Sequence, residues 1–168
     1  FAADPALEPK PAREATIAAQ KAEKANLPTE DGRDLEFAQQ GFIATRADPI
    51  IRAKDGRPVW NLDAYKWMEG NAPTTVNPSL WRHMTVLRNH GLYKVTDNIW
   101  QVRGVDVSNM TVIKGQTGWI LIDPLTTRET AAAALELVNK ELGARPVTGV
   151  IYSHSHGDHF GGARGVTS

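Results

Sequence analysis

The sequence has no cysteine, so disulfides, thiolate-held zinc and a thiol nucleophile are excluded from it. It has no net charge either. Its 19 Lys and Arg balance 19 Asp and Glu, with no long run of either sign, so it offers no electrostatic footprint for nucleic acid. No stretch approaches the roughly 20 apolar residues that a membrane span needs. Aromatics are scarce at 7%, yet 41% of the 168 residues are hydrophobic, enough to bury a core in a chain of one-domain length. The first residues, Phe1-Ala2-Ala3-Asp4-Pro5, read as what remains near a processed signal peptide, which predicts a periplasmic or secreted protein.

Local signals divide the chain. Pro5, Pro9 and Pro11 hold the start extended. Residues 12–27, rich in Ala, Lys, Glu and Gln, predict a helix closed by Pro28, and a second runs from Asp31 to Gly41 with Leu35, Phe37 and Phe42 expected in the core. Lys54-Asp55-Gly56 predicts a hairpin turn with positive φ at both Asp and Gly. A short helix over 61–69 and another capped by Ser79 follow, with Trp60, Trp67 and Trp81 as packing anchors. His83 and His90 stand alone among apolar neighbours and read as ordinary hydrogen-bonded groups.

From Leu92 the pattern changes. Four short β-rich runs, over 93–95, 99–103, 110–114 and 119–123, are joined by tight turns, so they predict antiparallel neighbours. A helix from Arg128 to Leu142, capped by Thr126 or Thr127 and showing Ala132, Leu135, Val138 and Leu142 on one face, leads to a strand at 147–153. That crossover makes the last strand parallel to the one ending at Asp123.

The last strand runs into His154-Ser-His156-Gly-Asp158-His159-Phe-Gly-Gly162. His154 and His156, two residues apart, leave an extended backbone on the same side and can converge on one ion. A bend at Gly157 aims Asp158 and His159 at a second ion a few ångströms away, as two-metal hydrolysis requires. A histidine-rich surface turn is the plain alternative, and a strand ending directly in the ligands argues against it. Asp123, at the end of the neighbouring strand, either accepts a hydrogen bond from a ligand His or only terminates its strand. Asn109 either reaches a substrate or satisfies a loop amide.

The motif after a hydrophobic strand resembles the signature of the metallo-β-lactamase superfamily. Tyr152–Gly162, Asp106–Pro124, Ala64–Gly70 and Asn77–Trp81 resemble its alkylsulfatase branch, with Gly157 standing where that branch more often has Ala. The resemblance implies an α/β fold, the first half of an αββα sandwich at 92–168, preceded by a mostly helical extension at 1–91. It implies a longer protein, since the motif belongs to the early strands of the first half. It also implies two zinc ions, with further acidic and His ligands from the later half, and a homodimer.

The implied reaction splits an alkyl sulfate ester into alcohol and inorganic sulfate by a metal-bound hydroxide. His154, His156, Asp158 and His159 are the metal ligands, and Asp158 also orients the hydroxide. Another hydrolase of the same fold, acting on a thioester or lactone, or an inactive binding module are the alternatives. Four ligands do not complete two sites of three protein donors each, so residues 1–168 alone are expected to bind zinc weakly and to lack activity.

Overall fold

A six-stranded mixed sheet organises the chain. The computed structural model describes residue 8 and residues 10–28 and 32–167. The stretch read as a signal-peptide remnant, Pro9 and the expected start of the second helix at Asp31 lie outside these residues. The strands are β1 (Phe42–Ala44), β2 (Ile50–Arg52), β3 (Pro58–Asn61), β4 (Gly91–Thr96), β5 (Ile99–Arg103), β6 (Met110–Lys114), β7 (Trp119–Ile122) and β8 (Val147–Ile151). The α-helices are α1 (Glu14–Asn26), α2 (Arg33–Gln39), α3 (Pro78–Leu87) and α4 (Arg128–Leu142).

Strands β1, β4, β5, β6, β7 and β8 lie side by side in that order, and β2 pairs with β3 in a separate hairpin. Neighbours in the large sheet are antiparallel except β7 and β8, which are parallel as the α4 crossover requires. Strand β1, from the N-terminal third, joins this sheet beside β4, which the sequence did not predict.

The core lies on one face of the sheet. Leu92, Val102, Met110, Val112, Trp119 and Leu121 form one buried cluster with α4 and with Ile51 of the hairpin. Each large side chain so buried contributes about 1.5–3 kcal/mol relative to an exposed one. Helix α4 starts at a capping box in which Thr127 and Thr130 satisfy each other's backbone amides. Its buried positions are Thr130, Ala131, Ala133, Ala134, Leu137 and Val138, whereas Ala132 of the predicted face is exposed. Three of its four alanines thus face the core, where small side chains allow close approach.

Other expectations are corrected. Gly56 alone takes a positive φ (86°) in the hairpin turn, while Asp55 uses its carboxylate to accept from Arg57 N at 3.0 Å. Asn77, not Ser79, caps α3, accepting from Ser79 N and Leu80 N, and Pro78 fills the first helical position, where no amide is needed. The helix expected over 61–69 is a single 3-10 turn at Leu62–Tyr65. Leu35, Phe37 and Phe42 are exposed rather than core, because α2 buries none of its residues and Phe42 starts β1 at the edge of the sheet. Trp81 is buried and donates to Gly70 O at 3.0 Å, but Trp67 is 67% exposed and only rests edge-on against it.

Candidate metal centre

Strands β7 and β8 end together, with Ile122 opposite Ile151, and Asp123 N continues the ladder by donating to Ile151 O at 2.9 Å. The chain beyond β7 then turns through left-handed backbone at Asp123 (φ 57°) and Leu125 (φ 63°). Asp tolerates that region through local hydrogen bonds, but for Leu it costs about 1–2 kcal/mol. Leu125 is fully buried, and a gain of about 1.5–3 kcal/mol from that burial offsets the strain.

This turn aims the Asp123 carboxylate at the motif. It accepts from Ser153 N at 2.7 Å, from the Ser153 hydroxyl at 2.6 Å and from His159 Nδ1 at 2.8 Å. Burial pushes the Asp123 carboxyl up, but the hydrogen bonds from Ser153 and His159 outweigh it and leave it below the usual carboxylate range. The reading of Asp123 left open by the sequence is thereby decided, since it holds a motif histidine directly.

The protons follow from this carboxylate. An ionised carboxylate only accepts, so His159 carries a proton on Nδ1, and in the neutral ring the lone pair is on Nε2, 3.2 Å from Asp158 Oδ2. Ser153 spends its single hydroxyl proton on Asp123, so its oxygen accepts from His154 Nδ1 at 2.9 Å. In its neutral form His154 likewise has its lone pair on Nε2. One carboxylate fixes two tautomers.

The motif residues come together at the sheet's edge. The His154 ring lies 4.6 Å from that of His156 and 4.0 Å from that of His159, centroid to centroid, and His159 Nε2 stands 3.2 Å from Asp158 Oδ2. His154 and His156 are exposed, and Asp158 and His159 half-buried. Among the described residues, no three imidazoles and carboxylates converge closely enough to hold one ion by themselves. The chain does bend at Gly157, passing from extended His156 into a 3-10 turn over Gly157–His159, but the bend does not need a glycine, for its φ is not positive and there is open space where a Cβ would stand. An alanine fits there. Gly161 and Gly162 are different, since a Cβ on either would come within 2.2 Å of Thr126 O or 2.1 Å of Pro124 O.

His83 and His90 lie elsewhere, and His90 bonds Thr45 through Nδ1 at 2.6 Å. Sequence reasoning missed Ser153 and Ser108. Ser153 joins Asp123 to His154, and the Ser108 hydroxyl donates to the backbone carbonyl of Asp158. Hydroxyl groups so common in loops carry no signal until their partners are known.

Comparison with known proteins agrees with this architecture. Residues 103–168 match the metallo-beta-lactamase superfamily. The chain is 49% identical over 141 residues to an alkyl/aryl-sulfatase of Saccharomyces cerevisiae, covering 83% of this chain and 22% of that protein. It is 46% identical over 159 residues to a linear primary-alkylsulfatase of Pseudomonas sp., covering 94% and 24%. An (R)-specific secondary-alkylsulfatase of Pseudomonas sp. is 45% identical over 161 residues, covering 95% and 24%.

The solved structure of a stereoselective inverting sec-alkylsulfatase from Pseudomonas sp. superposes with a TM-score of 0.90 at 44% identity, over 96% of this chain and 26% of that one. The chain spans about a quarter of the length of these relatives. By matched sequence, by identity and by fold, the chain resembles the metallo-beta-lactamase superfamily over residues 103–168 and is similar to part of several alkylsulfatases.

Proposed function

We propose that the protein hydrolyses alkyl sulfate esters to alcohol and inorganic sulfate at a zinc-dependent centre to which His154, His156, Asp158 and His159 contribute. The observation that carries this reading is the hydrogen bonding of Asp123 to His159 directly and to His154 through Ser153, which occupies Nδ1 of each ring and leaves Nε2 as the atom that would bind a metal. Neutral imidazoles with a carboxylate are a donor set that suits zinc. Two donors about 2.0 Å from one tetrahedral ion stand about 3.3 Å apart, and His159 Nε2 and Asp158 Oδ2 are 3.2 Å apart.

Zinc held there would supply Lewis acidity and a water whose pKa is lowered to about 7. Asp158 has a second carboxylate oxygen with which to orient that water and take its proton. Asp123 and Ser153 hold the imidazoles in the tautomer that keeps their donor atoms outward. Structural and catalytic zinc sites use at least three protein donors, so the remaining ligands come from the rest of the protein, as the relatives' greater length allows.

Sulfate chemistry rests on the relatives, all named for sulfatase activity. An alkyl tail suits the ground beside the motif, where Tyr152 and Phe160 stand exposed with their rings 6.1 Å apart. The test is inorganic sulfate released from dodecyl sulfate by the full natural chain. Release lost to a strong chelator and restored by zinc is expected. Chelator-insensitive release, or turnover of a thioester or lactone in place of the sulfate ester, would overturn the reading.

A further inference from the structure

A second constellation lies against the motif and has no part in the donor set. Asp106, in the loop between β5 and β6, is 6% exposed. A buried carboxylate is costly unless its lone pairs are satisfied, and here four donors converge on it, none of them cationic. Oδ1 accepts from Val107 N at 2.6 Å and from the Thr126 hydroxyl at 2.5 Å. Oδ2 accepts from Thr126 N at 3.1 Å and from the Thr130 hydroxyl. One side chain thus ties its own loop to the segment after β7 and to the first turn of α4.

Both tied segments touch the motif. Two residues beyond Asp106, the nearly buried Ser108 donates its hydroxyl to the backbone carbonyl of Asp158. On the other side, Gly161 and Gly162 lie directly on the carbonyls of Thr126 and Pro124, and Gly162 N donates to Leu125 O at 2.9 Å. The backbone of Asp158 and His159 is therefore gripped from two directions by segments that Asp106 holds in register.

We propose that Asp106 is a positioning residue for the metal centre, acting through Ser108 and the 124–127 segment to set where Asp158 and His159 point. This inference rests on the metal reading above. Ser108 separates positioning from folding, because removing its hydroxyl leaves all four bonds to Asp106 in place.

The experiment is cobalt(II) titration of the full natural chain, read by affinity and by the visible spectrum of the bound ion, beside the melting temperature of the metal-free protein. Ser108→Ala is expected to lose about tenfold in affinity and to shift the spectrum while the metal-free melting temperature holds. Ser108→Thr, which keeps the hydroxyl, restores both. Asp106→Asn, which sets a donor among donors, loses more affinity together with stability. Wild-type affinity and spectrum in Ser108→Ala overturn the inference, as does a loss that Ser108→Thr fails to rescue and that follows the metal-free melting temperature. A wild-type protein that takes up no cobalt overturns the metal reading itself, and this inference with it.

Discussion

The two faces of the six-stranded sheet are made of alternate residues from the same strands, and they differ sharply in burial. On the closed face, Val102, Met110, Val112, Trp119 and Leu121 are all at most 1% exposed. On the open face, Ile99, Ile113, Ile120 and Ile122 are half-buried and Ile151 is 50% exposed. Cross-strand pairing sets Ile113 opposite both Ile99 and Ile120, so the open face carries a continuous isoleucine row. A sheet with one face in water alternates apolar with polar, whereas one covered on both sides is apolar throughout. This sheet combines the two, for Gln101, Arg103 and Thr111 share the open face, while the isoleucine row is the part suited to being covered.

The largest effect expected from this comparison is at the closed face. Leu121→Ala should cost about 2–5 kcal/mol, read by urea unfolding, while Ile120→Ala, one residue away on the open face, should cost less than about 1 kcal/mol. Equal losses would show that residues 1–168 already enclose both faces. A smaller effect is expected at the polar edge between them. Asp123→Asn should lower metal affinity about 10- to 100-fold with little change in melting temperature, because it disturbs two imidazole tautomers and no apolar contact. An unchanged affinity would show that the Asp123–His159 hydrogen bond does nothing for metal binding.

The smallest effect concerns how dry the sheet is where β1 seals it. Burial lowers the pKa of His90, with Asp63 raising it and Lys66 lowering it more weakly. The folded protein then binds fewer protons there than the unfolded chain, so this stabilising contribution is complete above the unfolded value of about 6.5 and is lost as pH falls below it. Melting temperature should decline from about pH 7.5 to about pH 5.5, and His90→Gln should flatten part of that decline. An identical slope in the variant would mean that His90 is as well solvated in the fold as outside it.

Much of this was legible in the sequence because the signals are local. Strand runs, the α4 cap at Thr127 and the spacing of His154, His156, Asp158 and His159 all lie within a few residues of what they determine. What was missed depends on partners far along the chain. Asp106 meets Thr126 and Thr130, 20 and 24 residues later, and Ser108 meets Asp158, 50 residues later. The pairing of Asp123 with His159 spans 36 residues, which is why strand position alone left its role open. On α4, Val138 is buried and Leu135 and Leu142 pack against the core as expected, and only Ala132 was misplaced, because alanines fit either side by period. Phe37 and Trp67 were expected to pack because they are aromatic, but short elements at the periphery leave them 62% and 67% exposed.

The contact of Gly161 and Gly162 with the carbonyls of Thr126 and Pro124 also limits what mutation can do to this region. Any other amino acid at these two positions must push one backbone away from the other, and the loop cannot be moved to a new resting place without breaking that contact. Gly157, on the motif itself, has open space around it. Heritable variation is thus confined to exchanging residues between His154 and Phe160 in place. A descendant of this protein would change the side chains it presents here by swapping residues on a fixed loop, not by rebuilding the loop.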